Sequence, residues 1–220
     1  MFAITGFYHR YFAHKTFQAN RVVQFLFAYI GAMATQKGPL WWASNHRHHH
    51  RHTDTDQDPH TPKKGFWYSH MGWFLTHEHV EVKHELIKDW SRFPELKWLD
   101  KYHLVAPVSL AVALIATGAY LQATHPDLGI TAAQLFVWGF LISTIALTHI
   151  TLCVNSVAHV LGSRTYNTPD TSRNNLILAI LTLGEGWHNN HHFYQGSVRQ
   201  GFRWWQIDLT YYILWLMSKV

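Results

Sequence analysis

Residues 104–124, LVAPVSLAVALIATGAYLQAT, contain no Asp, Glu, Lys or Arg, and neither do the 32 residues from Ala132 to Ser163. A helix needs roughly 20 consecutive apolar residues to cross a bilayer, so each run is long enough. At 1.5 Å per residue the second run would make a helix of roughly 48 Å, against a hydrocarbon core of roughly 30 Å. Its C-terminal end is therefore expected to stand out into water, which places the spans at about 104–124 and 132–154. The connection between them, THPDLGIT at 124–131, has no Lys or Arg, whereas residues 37–101 hold ten. The positive-inside rule then puts the short connection outside and the cation-rich segment in the cytoplasm.

Outward from these spans the pattern stays helical, so the expected fold is all-α: an integral membrane helical protein with a cytosolic helical cap, residues 1–220 forming one domain. VVQFLFAYIGAMAT, residues 22–35, is too short to span and reads as a re-entrant or interfacial helix ending at Lys37, Gly38 and Pro39. TDTDQDPHTPKKG at 53–65 reads as a polar loop, and FWYSHMGWFL after it as an aromatic belt at the membrane surface. The charged, amphipathic stretch Glu78–Lys101 suits the cytosolic helical cap. Gly184 and Gly186 suggest a turn starting a new helix. The tail FRWWQIDLTYYILWLM suits an amphipathic helix lying on the membrane.

Histidine is concentrated in three boxes: HRYFAH with His9 and His14, NHRHHHRH with His46, His49 and His50, and HNNHH with His188, His191 and His192. Imidazole is the commonest metal ligand and suits iron, copper and zinc. At about 100° per residue an HxxHH spacing keeps three rings within an arc of about 100°, with His48 on the opposite side. NSVAH adds Asn155 and His159, at i and i+4 on one helix face. Nine imidazoles and an amide, with no HExxH and no cysteine cluster, favour a dinuclear site, with iron leading, over a structural zinc.

His9 and His14 would lie about 140° apart on a regular helix. They either serve different ions or are brought together by a π-bulge. Asp54, Asp56, Asp58 and Glu185 are candidates for orienting the outer ring nitrogens. The isolated His60, His70, His77, His79, His84, His103, His125 and His149 read as surface or core residues.

The net charge of +5 fits membrane topology and anionic headgroups. No basic stripe interleaved with stacking aromatics argues for nucleic acid. The single cysteine, Cys153, excludes an intramolecular disulfide and a thiolate centre.

The order HxxxxH, HRxHH, NSxxH, HNxHH, together with DPH and GEGWHNNHH, resembles membrane fatty acid desaturases of the stearoyl-CoA (Δ9 acyl) type over nearly the whole chain. The resemblance implies a non-haem di-iron enzyme with O₂ as co-substrate. Its ligands would be His9, His14, His46, His49, His50, His159, His188, His191 and His192, with Asn155 holding a water on one iron. It implies no catalytic group beyond the metal centre, and an acyl tunnel with Trp41, Trp42, Phe66, Trp67 and Trp73 as candidate walls. Reducing equivalents would come from a separate ferredoxin or cytochrome b.

Two departures from the pattern matter. Animal acyl-CoA enzymes carry Arg-Asp before the second box, where this chain has Ser44 and Asn45. That leaves CoA, lipid or carrier protein open as the acyl carrier, although Lys63 and Lys64 match a basic pair suited to phosphate. Only eight residues precede His9, where the family carries two membrane spans, so the expectation is a chain lacking those spans. Within the same scaffold hydroxylation is the rival reaction. A metal transporter would want ionisable residues deep in the spans, and a zinc hydrolase an HExxH base.

Overall fold

The computed structural model describes residues 1–219. Among them no strand occurs beyond isolated bridges joining Ser163 to Asn174 and Asn174 to Trp187. The chain opens with a π-helix, π1 (Ala3–Ala13), followed by α1 (Arg21–Ala32), α2 (Pro39–His52), α3 (Phe66–His70), α4 (Pro94–Lys101) and α5 (Val105–Thr124). Next come α6 (Ala132–Phe136), π2 (Val137–Ile142) and α7 (Ser143–Val160), which run on as one 29-residue helix. α8 (Leu176–Leu181), α9 (His188–Phe193) and α10 (Leu209–Met217) complete the fold.

α5 and the Ala132–Val160 helix are both long and apolar enough to cross a membrane. Their apolar side chains do not form a core: Val108, Val112 and Tyr120 on one helix, and Trp138 and Ile145 on the other, are exposed. A helix apolar all round must bury itself in protein or in lipid, and these outward faces fit lipid. The two helices form a hairpin. At Gly118 a Cβ would lie 2.6 Å from the Cα of Ala132, so only glycine permits the approach. Thr131 and Gln134 cap each other's backbone to start α6.

The core lies beside the spans. Phe7, Tyr8 and Phe12 of π1 bury against Phe27 and Ala28 of α1, Leu40 and Ala43 of α2, and Leu96 and Leu99 of α4. Phe7 stacks on Phe27 with ring centroids 4.0 Å apart. This packing fixes the first histidine box against the second. α2 begins with Pro39, whose missing N–H costs nothing at the first helical position. Its free N–H groups at Leu40 and Trp41 both donate to the Asp100 carboxylate at 2.9 Å. Asp100→Ala is expected to cost about 0.5–2 kcal/mol by uncapping α2. Thermal unfolding in detergent measures it, and an unchanged midpoint would contradict this capping role.

Three expectations are corrected. Within the expected helical cap, Glu78–Lys101 is helical only in pieces, the short turns His77–His79 and His84–Leu86 and then α4 from Pro94. Its anchors are single side chains, such as Trp90, whose indole N–H donates to the Phe12 carbonyl at 2.7 Å. The 53–65 loop is not a plain solvated loop, because Asp54, Asp58, His60 and Thr61 are buried. The tail is helical only from Leu209, where the Asp208 carboxylate accepts from the Tyr211 N–H at 3.0 Å and caps α10.

Candidate metal centre

The nine box and NSVAH histidines converge in two groups. His9, His14, His46, His50 and His191 form one, and His49, His159, His188 and His192 the other; within each group the nearest nitrogens all lie within 4.8 Å of one another. Each HxxHH helix divides its teeth. α2 gives its i and i+4 rings, His46 and His50, to the five-histidine group, and His49 to the four-histidine group. α9 does the reverse, giving His188 and His192 to the four and His191 to the five. On an α-helix i and i+4 stack over one another while i+3 sits to the side, so two facing HxxHH helices can build adjacent sites.

The first box works through its π-helix. The His14 N–H donates to the His9 carbonyl at 3.1 Å, five residues back, and this wider turn brings the two rings to 4.8 Å between centroids. Both therefore join the same group.

Carboxylates behind the rings settle which nitrogen faces inward. His9 Nδ1 lies 2.6 Å from Glu185, His49 Nδ1 2.9 Å from Asp58, His192 Nδ1 2.9 Å from Asp170 and His159 Nδ1 3.4 Å from Asp54. A carboxylate accepting from Nδ1–H keeps the proton on that nitrogen and leaves the Nε2 lone pair free. Nε2 atoms then face each other: His9 and His191 at 3.1 Å, His14 and His46 at 2.8 Å, His50 and His191 at 2.9 Å, and His159 and His188 at 3.1 Å. The buried Nε2 atoms of His49 and His192 have no hydrogen-bond partner. A cation between two such nitrogens would accept both lone pairs. Two imidazoles binding at right angles, each about 2.1 Å from a metal, sit about 3 Å apart. The donor set therefore fits metal.

The charge state agrees. Burial, followed by neighbouring imidazoles, holds His14, His46, His50, His188 and His191 well below the usual histidine range. Burial also lowers His192, to about 4, against the opposing pull of Asp170. Burial alone would raise the Glu185 carboxyl, but His9 and Arg10 outweigh it and hold it at about 2. Neutral imidazoles backed by ionised carboxylates are the state that binds metal.

Arg10 secures this arrangement with four hydrogen bonds and a further ion-pair contact. Nε and Nη2 reach Glu185 at 3.1 and 2.9 Å, Nη1 and Nη2 reach Asp208 at 3.0 and 2.9 Å, and Nη1 also reaches the Val198 carbonyl at 2.7 Å. Gly184, at φ +128°, makes the turn that aims Glu185 back at His9.

Asn155 does not lie against a partner side chain. It borders a cavity of about 40 Å³ shared with His9, His46 and His188, above the roughly 10–15 Å³ that one water needs. It also borders a cavity of about 220 Å³ walled by Trp41, Trp42, Trp73 and Leu152 and reaching His46. Trp41 and Trp73 stack there at 6.1 Å.

Of the candidate substrate residues, Trp41, Trp42, Asn45 and Trp73 line this cavity, and Ser44, Lys63, Lys64, Phe66 and Trp67 do not. Phe66 and Trp67 are exposed, because α3 turns Ser69 and His70 toward α7 instead. The Ser44 hydroxyl donates to the Trp41 carbonyl and accepts from the Lys83 N–H, and Lys63 and Lys64 face outward.

Sequence reasoning missed His60 and Asp170. His60 is buried, with its ring 4.2 Å from that of His49, its Nδ1 3.7 Å from Asp58, and an edge on the larger cavity. The Asp-Pro-His run is the signal that could have marked it. Asp170 has no such signal, since it reaches His192 only because its loop folds over α9. Asp56, by contrast, is exposed and orients nothing. His70 and His149 pair at 3.1 Å, with Ser156 3.0 Å from His70, which ties α3 to α7. Asp170→Asn is expected to weaken metal retention about 10- to 100-fold. Competition with a chelator measures it, and unchanged retention would show that His192 needs no carboxylate.

Residues 1–218 match the family model described as "Fatty acid desaturase". The chain is 38% identical, over 100% of its length and 57% of the relative's, to the palmitoyl-monogalactosyldiacylglycerol delta-7 desaturase of Arabidopsis thaliana. It is 40% identical to the acyl-CoA C20 Delta5-desaturase of Anemone leveillei, covering 99% of this chain and 67% of that one. It is 38% identical to the sn-1 stearoyl-lipid 9-desaturase of Anabaena variabilis, covering 98% and 75%. The chain thus spans 57% of the first of these relatives and 67–75% of the other two. The family match over nearly every residue shows that this chain belongs to the fatty acid desaturase family.

Proposed function

We propose that this chain is the di-iron unit of an O₂-dependent acyl desaturase that places a cis double bond, at Δ9, in a saturated fatty acyl chain. The observation that carries the reading is the convergence of nine inward-facing imidazoles beside a tryptophan-walled cavity. His9, His14, His46, His50 and His191 hold one iron, and His49, His159, His188 and His192 hold the other, with Asn155 fixing a water on one of them. When bound, the irons supply the reductive activation of O₂. Two electrons and two protons from outside, with the two hydrogens removed from the acyl chain, balance one O₂ to two waters.

The protein's own part is positioning. Glu185, Asp58, Asp170 and Asp54 keep the Nε2 lone pairs inward. Trp41, Trp42 and Trp73 exclude water and hold the methylene pair, which is where regioselectivity arises. Relatives' names span positions 5, 7 and 9 and both lipid-linked and CoA-linked acyl groups. Ser44 and Asn45, neutral where an acyl-CoA enzyme has a charged pair, favour a lipid-linked acyl group. Residues 1–220 act as one domain that spans the bilayer twice with the boxes on the cytoplasmic side. A separate ferredoxin or cytochrome b brings the electrons to that basic face.

The test is expression of the full-length protein with labelled saturated fatty acid, followed by gas chromatography of the lipids and metal analysis. A new cis Δ9 product and about two irons per chain are expected. A hydroxylated product, or stoichiometric zinc with no unsaturation, would overturn the reading.

A further inference from the structure

The two histidine groups differ in their access to the surface. All four rings of the four-histidine group are buried, with His49 1%, His159 3%, His188 3% and His192 7% exposed. In the five-histidine group only His9 and His191 are buried, and His14, His46 and His50 are half-buried. A cleft of about 420 Å³ reaches two of these half-buried rings, His14 and His50. It is lined by Ala13, His14, Arg47, His50, Arg51, Gln195 and Gly196, and touches no member of the four-histidine group. Arg51 and Gly196 on its rim are exposed.

Anchoring differs in the same sense. Three rings of the buried group have a carboxylate at Nδ1, namely His49, His159 and His192. In the open group only His9 does, and the His50 Nδ1 has no partner at all. Rings without an outer hydrogen bond are free to turn and bind metal less tightly. The cleft is also cationic. Arg47 is occupied by Asp89 and by backbone carbonyls, whereas Arg51 makes no ion pair among the described residues.

We infer that the cleft between His14, His50, Arg51 and Gly196 is a solvent port for the five-histidine position. Metal exchanges there and small anionic ligands reach it, whereas the four-histidine position has no ring on this cleft and meets only the narrow 40 Å³ cavity, at His188. This rests on the proposed reading that each group holds an iron. Arg51 draws anions into the cleft, and His14 and His50, free of carboxylates, release the metal first.

The test follows iron release from the iron-loaded full-length protein, reduced with dithionite and kept anaerobic, to ferrozine, a sulfonated anionic chelator of ferrous iron. Two phases of one iron each are expected. Gly196 is the position for a plug. Its φ lies outside the left-handed region, and an added Cβ meets nothing nearer than Tyr194 at 3.9 Å. Gly196→Trp should slow the fast phase about tenfold or more and leave the slow phase alone. Arg51→Glu should slow the fast phase similarly and reduce its salt dependence. Gln195→Trp, on the same rim, serves as a second plug should Gly196→Trp not fold. Release of both irons in one phase, or a fast phase untouched by a folded plug variant, overturns the port. A chain that takes up no iron at all overturns the proposed function instead.

Discussion

Arg10→Leu is expected to destabilise the protein by about 3–5 kcal/mol, the cost of stranding buried charge, which for a chain of this size lowers the unfolding midpoint by roughly 6–20 °C. Arg10 is 1% exposed, and both Glu185 and Asp208 are buried with it. Removing the guanidinium leaves two carboxylates facing each other without a counter-charge. Asp208 also caps α10 and accepts from the Gln200 N–H at 2.6 Å, so the loss spreads from the first box to the C-terminal helix. Arg10→Lys should recover only part of it, because an ammonium cannot present five donors in a fixed fork. Thermal unfolding followed by tryptophan fluorescence in detergent reads the change. A midpoint within 2 °C of the parent would mean that the network contributes little.

His188→Ala is expected to abolish turnover and to leave about one iron per chain. His188 is the one member of the four-histidine group with no carboxylate behind it, so its removal disturbs no buried charge. The protein should fold with the five-histidine group intact. Metal analysis beside product analysis separates the outcomes. Two irons retained with normal turnover would remove His188 from the ligand set. Loss of both irons would mean that the two positions are coupled through the adjoining His49 and His50 rings, whose centroids are 5.2 Å apart.

The spans and the ligand residue types were legible in the sequence because each depends on local composition or on spacing along a single helix. Charge-free runs of 21 and 32 residues have few places to go but lipid. An HxxHH spacing puts three rings on one face whatever the helix packs against. Asp54, Asp58 and Glu185 were legible as candidate partners of those rings because each lies close to a histidine box, but the ring each one orients was not, except for Asp58. Asp58 reaches His49 across nine residues, within the loop that the Asp-Pro-His run flags.

Tertiary structure decided the rest. The sequence left His9 and His14 either on separate ions or drawn together by a π-bulge, and the packing of Phe7, Tyr8 and Phe12 against α1 and α2 accompanies the second arrangement. The split of each HxxHH box into two rings and one depends on α2 and α9 facing each other, which no single helix encodes. Asp170 and Arg10 act across 22 and 175 residues. Phe66 and Trp67 face outward because Ser69 and His70 find Ser156 and His149 on α7. By itself the sequence determined an all-helical chain with two membrane-length helices and nine imidazoles at ligand spacings. Which imidazoles share an ion, which carboxylate aims each ring and which aromatic residues wall the cavity were decided only by long-range packing, since contacts between distant segments leave no periodic trace in either one.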